Sequence, residues 1–231
     1  MKTIAAALGA TLLLGCVQDK TDICYVHSQY DRSRCVLLAS SLNDPVVGRG
    51  DVDALRAVMR KARTGQSVRI LILGARSVPK SYQNQISGWW ATKLSGSPAV
   101  IDSYSGVGGM QIATHFVDAD LVIVDESIAN GGADEFDTLL RTARSAGAAI
   151  IVLETIGPWG ARTTEVSVRA AARAGATYLS QEKALDGALE RRDIAPSDLL
   201  TPDGRSTEAD GMIIGRLITD QLQAALNASM I

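Results

Sequence analysis

Five short apolar runs alternate with segments of helical spacing, and this alternation constrains the fold more than any other feature of the sequence. The apolar runs cover residues 68–73, 99–101, 121–124, 148–153 and 176–179. Helical spacing extends over about residues 52–65, 81–94, 109–116, 133–146, 163–174 and 207–226. Short apolar runs separated by helices are typical of parallel strands joined by right-handed crossovers. We therefore predict an α/β fold, a three-layer doubly wound sandwich around a five-stranded parallel sheet.

The length and charge of the chain limit the number of domains and the kinds of partner. A chain of 231 residues that is 46% hydrophobic can bury one sizeable core, and we expect one folded domain over residues 51–231. The formal net charge is only -2, and the Lys and Arg residues are scattered along the chain. Nothing in this pattern favours a nucleic acid as partner, because nucleic-acid binding needs clustered positive charge.

The first 16 residues have the features of an export signal. Lys2 is followed by an apolar stretch over residues 4–15, which is too short to span a bilayer. The run Leu13-Leu14-Gly15-Cys16 resembles a bacterial lipobox, which would make Cys16 the lipidated mature N-terminus. We expect an exported, membrane-anchored lipoprotein that touches the membrane only through this anchor. An ordinary signal peptide, giving a periplasmic or secreted protein, is the alternative.

Residues 17–50 lack a sustained hydrophobic period and are interpreted as an N-terminal tether. Cys24 and Cys35 are the pair that remains once Cys16 is set aside. In an oxidising compartment such a pair favours a disulfide over two free thiols. We therefore expect a Cys24–Cys35 bond that restrains the tether.

Polar and glycine-rich segments follow the predicted strands, where ligands bind in sheets of this kind. These segments are GARSV at 74–78, SGVGG at 105–109 and ESIANG at 126–131, and DLLTPDG at 198–204 precedes the last helix. In order and spacing they resemble the conserved blocks of the SGNH (GDSL-type) ester hydrolases. The resemblance covers about residues 68–226 and implies the flavodoxin-like fold of that family.

The resemblance implies a role for one residue in each block. The family places a nucleophilic serine after the first strand, a glycine N–H and an asparagine side chain in the oxyanion hole, and Asp-x-x-His before the last helix. Gly109 or Gly108 would be the oxyanion-hole glycine, and Asn130 would be the asparagine. Such donors stabilise the negative charge that ester cleavage places on the carbonyl oxygen.

The first block departs from the family pattern at the nucleophile. Aligning Gly74 with the family glycine places Arg76 at the nucleophile position. One inserted residue in the turn places Ser77 there instead, and the following Val78 then matches the family. We favour Ser77 as the nucleophile.

The last block lacks the histidine. One alignment pairs Asp198 with Thr201 at the histidine position, and the other pairs Asp203 with Ser206. Neither hydroxyl titrates near neutral pH, so neither can accept the serine proton as imidazole does. Two functions therefore stay open: an ester hydrolase with weak or no activity, and an inactive relative that binds a small acylated or carbohydrate ligand.

The sequence offers little support for other bases, metals or cofactors. His27 lies in the tether, and His115 precedes the third strand, at the opposite end of the sheet from the expected crevice. No Cys and His cluster indicates a metal, and the acidic residues at 125, 126, 134 and 135 are interpreted as a charged loop beside a helix N-terminus. The glycines at 106–109 lack dinucleotide-loop spacing. We expect no metal and no cofactor.

Overall fold

Strands and helices alternate along the chain, and the computed structural model describes residues 20–22, 36–38, 42–74, 80–105, 113–154, 156, 165–190 and 194–230. The strands are β1 Lys20–Asp22, β2 Val36–Leu38, β3 Val46–Gly48, β4 Val68–Gly74, β5 Ala99–Ser105, β6 Leu121–Asp125, β7 Ala149–Glu154 and β8 Thr177–Ser180. The α-helices are α1 Val52–Arg63, α2 Lys80–Lys93, α3 Ala133–Ser145, α4 Glu165–Arg173, α5 Gln181–Glu190, α6 Pro196–Leu199 and α7 Glu208–Ala228. Short 3-10 helices cover Ala113–Asp118 and Glu126–Gly131.

The main sheet has six strands in the order β3-β8-β7-β6-β4-β5. Strands β4 to β8 are mutually parallel where they pair, whereas β3 pairs antiparallel with β8. Counted in chain order, the five parallel strands lie 2-1-3-4-5, which is the flavodoxin-like order. The chain reverses its direction of winding between β4 and β6, so the topological switch point lies between these two strands.

The prediction of a five-stranded, wholly parallel sheet is wrong in one respect, because β3 makes the sheet six-stranded and mixed. This strand comes from residues that the sequence analysis assigned to the tether. It has only three residues and follows Pro45, so no apolar run marks it. Its pairing with β8 covers an otherwise open sheet edge. β1 and β2, also from the tether, pair with each other in a separate antiparallel sheet.

Helices cover both faces of the sheet, and the central strands are therefore continuous apolar runs in the sequence. One face packs against α1, α2 and α7 through sheet residues that include Ile72, Ile123 and Ile151. The other face packs against α3 and α4 through Leu73, Val124 and Val152. The three-layer arrangement follows the predicted one. No helix of the described ranges combines the length and apolar character needed to cross a bilayer.

Two helices lie between β8 and α7 where the sequence analysis assigned none. Helix α5 buries Ala184, Leu185 and Ala188, and these side chains join a small apolar cluster with residues of α6 and α7. The helix predicted at 109–116 falls partly outside the described residues, and what is described of it is the 3-10 helix Ala113–Asp118. The insertion of α5 and α6 positions the segment that leads into α7.

Gly215 allows α7 to lie directly against α2. A Cβ atom at this position would lie 2.6 Å from the Cβ atom of Gln85 and 3.2 Å from the carbonyl oxygen of Tyr82. Neither atom is the flexible end of a side chain, so the helices would have to separate. The close approach at Gly215 fixes how α7 lies on α2, and the first turn of α7 carries part of the candidate site.

We expect Gly215→Ala to lower the free energy of unfolding by about 1–3 kcal/mol through overpacking between α2 and α7. Gly88→Ala is the matched control, because Gly88 lies within α2 and has no atom within 4 Å of an added Cβ. The control should gain up to about 1 kcal/mol from helix propensity alone. Urea unfolding of the two variants measures both effects. A Gly215→Ala protein as stable as the control would contradict the account of this packing.

Candidate functional site

The switch point places the ends of β4 and β6 side by side, and ligands bind at this edge in related sheets. Gly74 ends β4, and Asp125 ends β6. The first three sequence blocks begin at Gly74, Ser105 and Glu126, and each directly continues or follows one of three neighbouring strands. The beginnings of these three blocks therefore lie at one edge of the sheet.

Several residues proposed from the sequence lie outside the described residues. These are Arg76, Ser77, Gly108, Gly109, His27, Cys16, Cys24 and Cys35. Asn130 belongs to the 3-10 helix that follows β6, of which only the backbone is described at this position. His115 belongs to the 3-10 helix before β6, on the amino-end side of that strand.

Asp198 of the first alignment is bound to its own short helix. Its Oδ2 atom accepts a hydrogen bond of 2.8 Å from the backbone N–H of Ala195, immediately before α6. Its backbone carbonyl accepts a hydrogen bond of 2.7 Å from the hydroxyl of Thr207. These contacts give Asp198 a local role in shaping the segment before α7.

Thr201, Asp203 and Arg205 form a self-contained turn at the surface. The Thr201 hydroxyl donates to Oδ1 of Asp203 at 2.5 Å, and the Nε atom of Arg205 lies 2.8 Å from Oδ2. The Thr201 hydroxyl and the Arg205 guanidinium hold the pKa of Asp203 below its usual range. Both carboxylate oxygens are thus occupied within the turn itself.

Asp210 is a fully buried carboxylate that the sequence analysis missed. It lies in the first turn of α7, where its backbone N–H donates 3.1 Å to the hydroxyl of the N-cap residue Thr207. Its Oδ1 atom accepts a hydrogen bond from Nε2 of Gln181, which is also fully buried. The Oε1 atom of Gln181 accepts 2.8 Å from the backbone N–H of Ile156, and this contact fixes the orientation of the amide.

Ser206 of the second alignment lies beside this buried carboxylate. The pKa of Asp210 is raised to about 6. Burial is the largest cause and the negative charge of Asp125 adds to it, whereas hydrogen bonds from Gln181 and Ser206 act in the opposite direction. The Oδ2 atom of Asp210 has no partner in good hydrogen-bond geometry among the described residues. The histidine position of the second alignment therefore adjoins an acidic group that titrates near neutral pH.

Asp125, at the end of β6, raises the pKa of groups on two neighbouring helices. Burial raises the pKa of Tyr82 well above its usual range, and the charge of Asp125 adds to the shift. The Tyr82 hydroxyl is buried and has no hydrogen-bond partner among the residues that the structure describes. Asp125 thus acts on both Tyr82 of α2 and Asp210 of α7. We name Tyr82, Asp125, Ser206 and Asp210 the carboxylate cluster.

A second pair of polar groups lies on the other face of the sheet at the same edge. The Tyr178 hydroxyl donates to Oε2 of Glu126 at 2.5 Å in a buried contact. Despite these carboxylates, no group of three His, Cys, Asp or Glu side chains in the described ranges is arranged to hold a metal ion.

The helical spacing of the last helix could have indicated from the sequence that Asp210 is buried. Asp210 lies three and four residues before the buried Ile213 and Ile214, so it shares their face of α7. A carboxylate on a buried helix face is rare unless it has a partner. Gln181 directly follows β8, and its position after a strand was the corresponding signal.

The fold is an α/β sandwich with a mixed six-stranded sheet, and solved structures of other proteins share it. No protein-family model and no curated protein matches the sequence. Among solved structures, a two-domain esterase active on acetylated mannans, co-crystallised with mannopentaose, matches 80% of this chain with 17% identity and a TM-score of 0.69. A second crystal structure of a two-domain esterase active on acetylated mannans matches 79% of this chain with 18% identity and a TM-score of 0.67.

The chain covers 57% and 56% of those two structures, so it spans little more than half of their length. At this level of identity the similarity concerns the fold.

Proposed function

We propose that this chain is an SGNH-type ester hydrolase-like protein whose site is degenerate, with weak or no acyl-ester hydrolysis. One observation carries the proposal. In an esterase-like fold, the position that the second alignment gives to the triad histidine holds Ser206, which adjoins the buried carboxylate of Asp210. In this proposal a hydroxyl stands where the hydrolases of that family have the imidazole.

The chemistry of ester cleavage explains why this replacement slows the reaction. A serine hydroxyl attacks an ester carbonyl well only when a neighbouring base takes its proton. Imidazole does so near neutral pH, whereas an alcohol does not. Loss of a triad base costs several orders of magnitude in rate, and the oxyanion-hole donors leave a residue of catalysis.

O-acetyl groups on carbohydrate are the first substrates to consider. The two structural neighbours are described as active on acetylated mannans. We extend to this chain only the class of bond, an acetyl ester on a sugar hydroxyl. Gly109 and Asn130 would then donate hydrogen bonds to the oxygen of the acetyl carbonyl, and Ser77 would attack its carbon.

We expect the purified wild-type protein to hydrolyse p-nitrophenyl acetate and to release acetate from acetylated mannan barely above the uncatalysed rate. Ser77→Ala should remove this remaining activity, because it deletes the nucleophile. The release of p-nitrophenol and of acetate measures both rates, and His27→Ala and His115→Ala serve as controls that should change neither. Fast turnover that depends on Ser77 but on neither histidine would contradict the degenerate site and would direct attention to Asp198 or Asp203 as the base.

The alternative is a catalytically inactive exported lipoprotein, anchored through Cys16, that binds an acylated or carbohydrate ligand. It predicts that wild type and Ser77→Ala release no acetate, and that both bind acetylated mannan oligosaccharides with equal affinity in calorimetry. The same two proteins therefore distinguish the two functions.

A further inference from the structure

We propose that the pocket between the end of α2 and the beginning of β5 is a binding site for a neutral sugar ring of a carbohydrate chain. The inference goes beyond the proposed function, because this pocket lies at the amino end of β5, whereas the candidate site lies at the carboxyl ends of the strands. The seven residues of β5 separate its two ends by about 20 Å, at about 3.3 Å per residue. The pocket is therefore distinct from the carboxylate cluster.

The pocket has the size of a site for a small ligand. Its volume is about 470 Å³, and ligand pockets usually measure about 300–1,000 Å³. One wall is the last part of α2, where Ser87 and Ala91 lie one turn apart, and the other is the segment 95–99 that leads into β5. Ser87, Ala91 and Pro98 are exposed. A ring can therefore enter from the surface without any separation of α2 and β5.

Hydrogen bonds hold the floor of the pocket in place. The floor consists of Trp90 and Ser97, the buried residues of the lining, and the indole Nε1–H of Trp90 donates 3.0 Å to the carbonyl oxygen of Ser97. The Ser97 hydroxyl donates 2.6 Å to the carbonyl oxygen of Gln66. The backbone N–H of Ser97 donates 2.8 Å to the carbonyl oxygen of Leu94. A pocket that is fixed in this way loses little conformational freedom when a ligand binds, and this favours affinity.

The chemistry of the lining selects a neutral ligand that has both hydroxyl groups and an apolar face. None of the described side chains that line the pocket is charged. The hydroxyls of Ser87 and Ser95 make no hydrogen bond to other described residues, so each is available to donate and to accept. Ala91, Pro98 and Ala99 supply apolar surface beside them. A sugar ring matches this lining, because it has C–H groups on its face and hydroxyls around its rim.

A peptide that adds a strand to the sheet is the competing occupant. β5 is the last strand of the main sheet, and among the described strands it pairs only with β4. An added peptide would bond to the backbone along the whole of β5, and it would not require the hydroxyls of Ser87 and Ser95. The free hydroxyls therefore favour the sugar.

The test is a titration of the isotope-labelled protein with mannotriose and, separately, with cellotriose, followed by NMR. Both sugars are neutral and carry no acetyl groups, so hydrolysis does not enter the result. We expect saturable shifts at millimolar sugar in the indole N–H signal of Trp90 and in the backbone amide signals of Ser95, Gly96 and Ser97. Sorbitol has hydroxyls but no ring, and this control ligand should shift none of these signals. The absence of saturable shifts with either trisaccharide would overturn the proposal.

Two variants test whether the sugar occupies this pocket. The double variant Ser87→Ala and Ser95→Ala should weaken binding about tenfold, because two hydrogen bonds to the ligand are lost. Gly96→Leu should block binding by placing a side chain at the rim of the pocket, and it should fold normally because an added Cβ there has no atom within 4 Å. Asn84→Ala is the matched control, since Asn84 is an exposed residue of α2 that does not line the pocket. The control should bind as the wild-type protein does.

The remaining outcomes separate this site from the proposed function. Wild-type affinity in both the double variant and Gly96→Leu would overturn the pocket as the sugar site. Shifts along the whole of β5 with an extended peptide of alternating valine and threonine, and none with either trisaccharide, would replace the sugar with strand addition. Sugar binding at the pocket in a protein that hydrolyses no ester would support this inference and overturn the proposed function alone.

Discussion

Ser206→His should raise the rate of p-nitrophenyl acetate hydrolysis by about 10²–10⁴-fold, which is the usual contribution of a positioned general base. An imidazole at this position would adjoin the carboxylate of Asp210, which acts on the Ser206 hydroxyl in the wild-type protein. A buried carboxylate beside imidazole fixes its tautomer and stabilises the imidazolium that forms during attack. The gain should vanish when Ser77→Ala is added, and it should shrink when Asp210→Asn is added.

Thr201→His is the matched comparison, because the first alignment gives this position to the histidine. In the wild-type protein the Thr201 hydroxyl belongs to the surface turn with Asp203 and Arg205, and it makes no hydrogen bond to Asp210 in the described structure. We expect no gain from this variant. A gain in Thr201→His without one in Ser206→His would reject the second alignment and favour Asp198 as the acidic partner.

Asp210→Asn should change how the stability of the protein depends on pH. The pKa of Asp210 is about 6 in the folded protein, whereas an unfolded aspartate has a pKa of about 3.9. Between these values the folded state holds a proton that the unfolded state has released, so the free energy of unfolding falls as pH rises. The stability that this proton contributes is complete below about pH 4, and it is lost as pH rises through about 6.

The difference in pKa corresponds to about 3 kcal/mol in the free energy of unfolding. Asp210→Asn preserves the shape of the side chain and lacks this titration. The free energy of unfolding of the variant relative to wild type should therefore rise by about that much when the pH is raised from about 4 to about 7.5. Asp51 and Asp137 have lowered pKa values and act in the opposite direction, but they are present in both proteins and their contributions cancel. Urea unfolding at the two pH values measures the difference, and Asp220→Asn is the control on the same helix, because Asp220 is exposed and pairs with Arg216. Parallel pH profiles for wild type and Asp210→Asn would contradict the burial of an ionisable Asp210.

The sequence predicted the central strands well because their burial is encoded locally. β4, β6 and β7 are covered on both faces, so nearly every residue in them is apolar. β5 was predicted shorter than it is, because this edge strand continues through polar residues such as Asp102 and Ser103. β3 was not predicted, because its order depends on pairing with β8, which lies more than a hundred residues away.

The carboxylate cluster was harder to predict, because its members come from three distant parts of the chain. Tyr82, Asp125 and Asp210 are brought together by the packing of α2 and α7 against the end of β6. Sequence spacing left the two alignments of the last block equal. The structure distinguishes the two alignments, because Thr201 is hydrogen-bonded within its own turn whereas Ser206 adjoins a buried carboxylate.

The rate at which a fluorophosphonate modifies the protein tests the central claim most directly, because this reagent bonds covalently to activated serine hydroxyls. Intact-mass measurements over time, followed by peptide mapping, would be made on the wild-type protein and on Ser206→His. We predict one adduct, on Ser77, in both proteins, forming at least tenfold faster in Ser206→His because imidazole then removes the hydroxyl proton. Two results would contradict the claim that this chain has a hydrolase site from which only the imidazole is missing. One is the absence of an adduct on Ser77 in both proteins. The other is modification of a different serine at a rate that Ser206→His does not change.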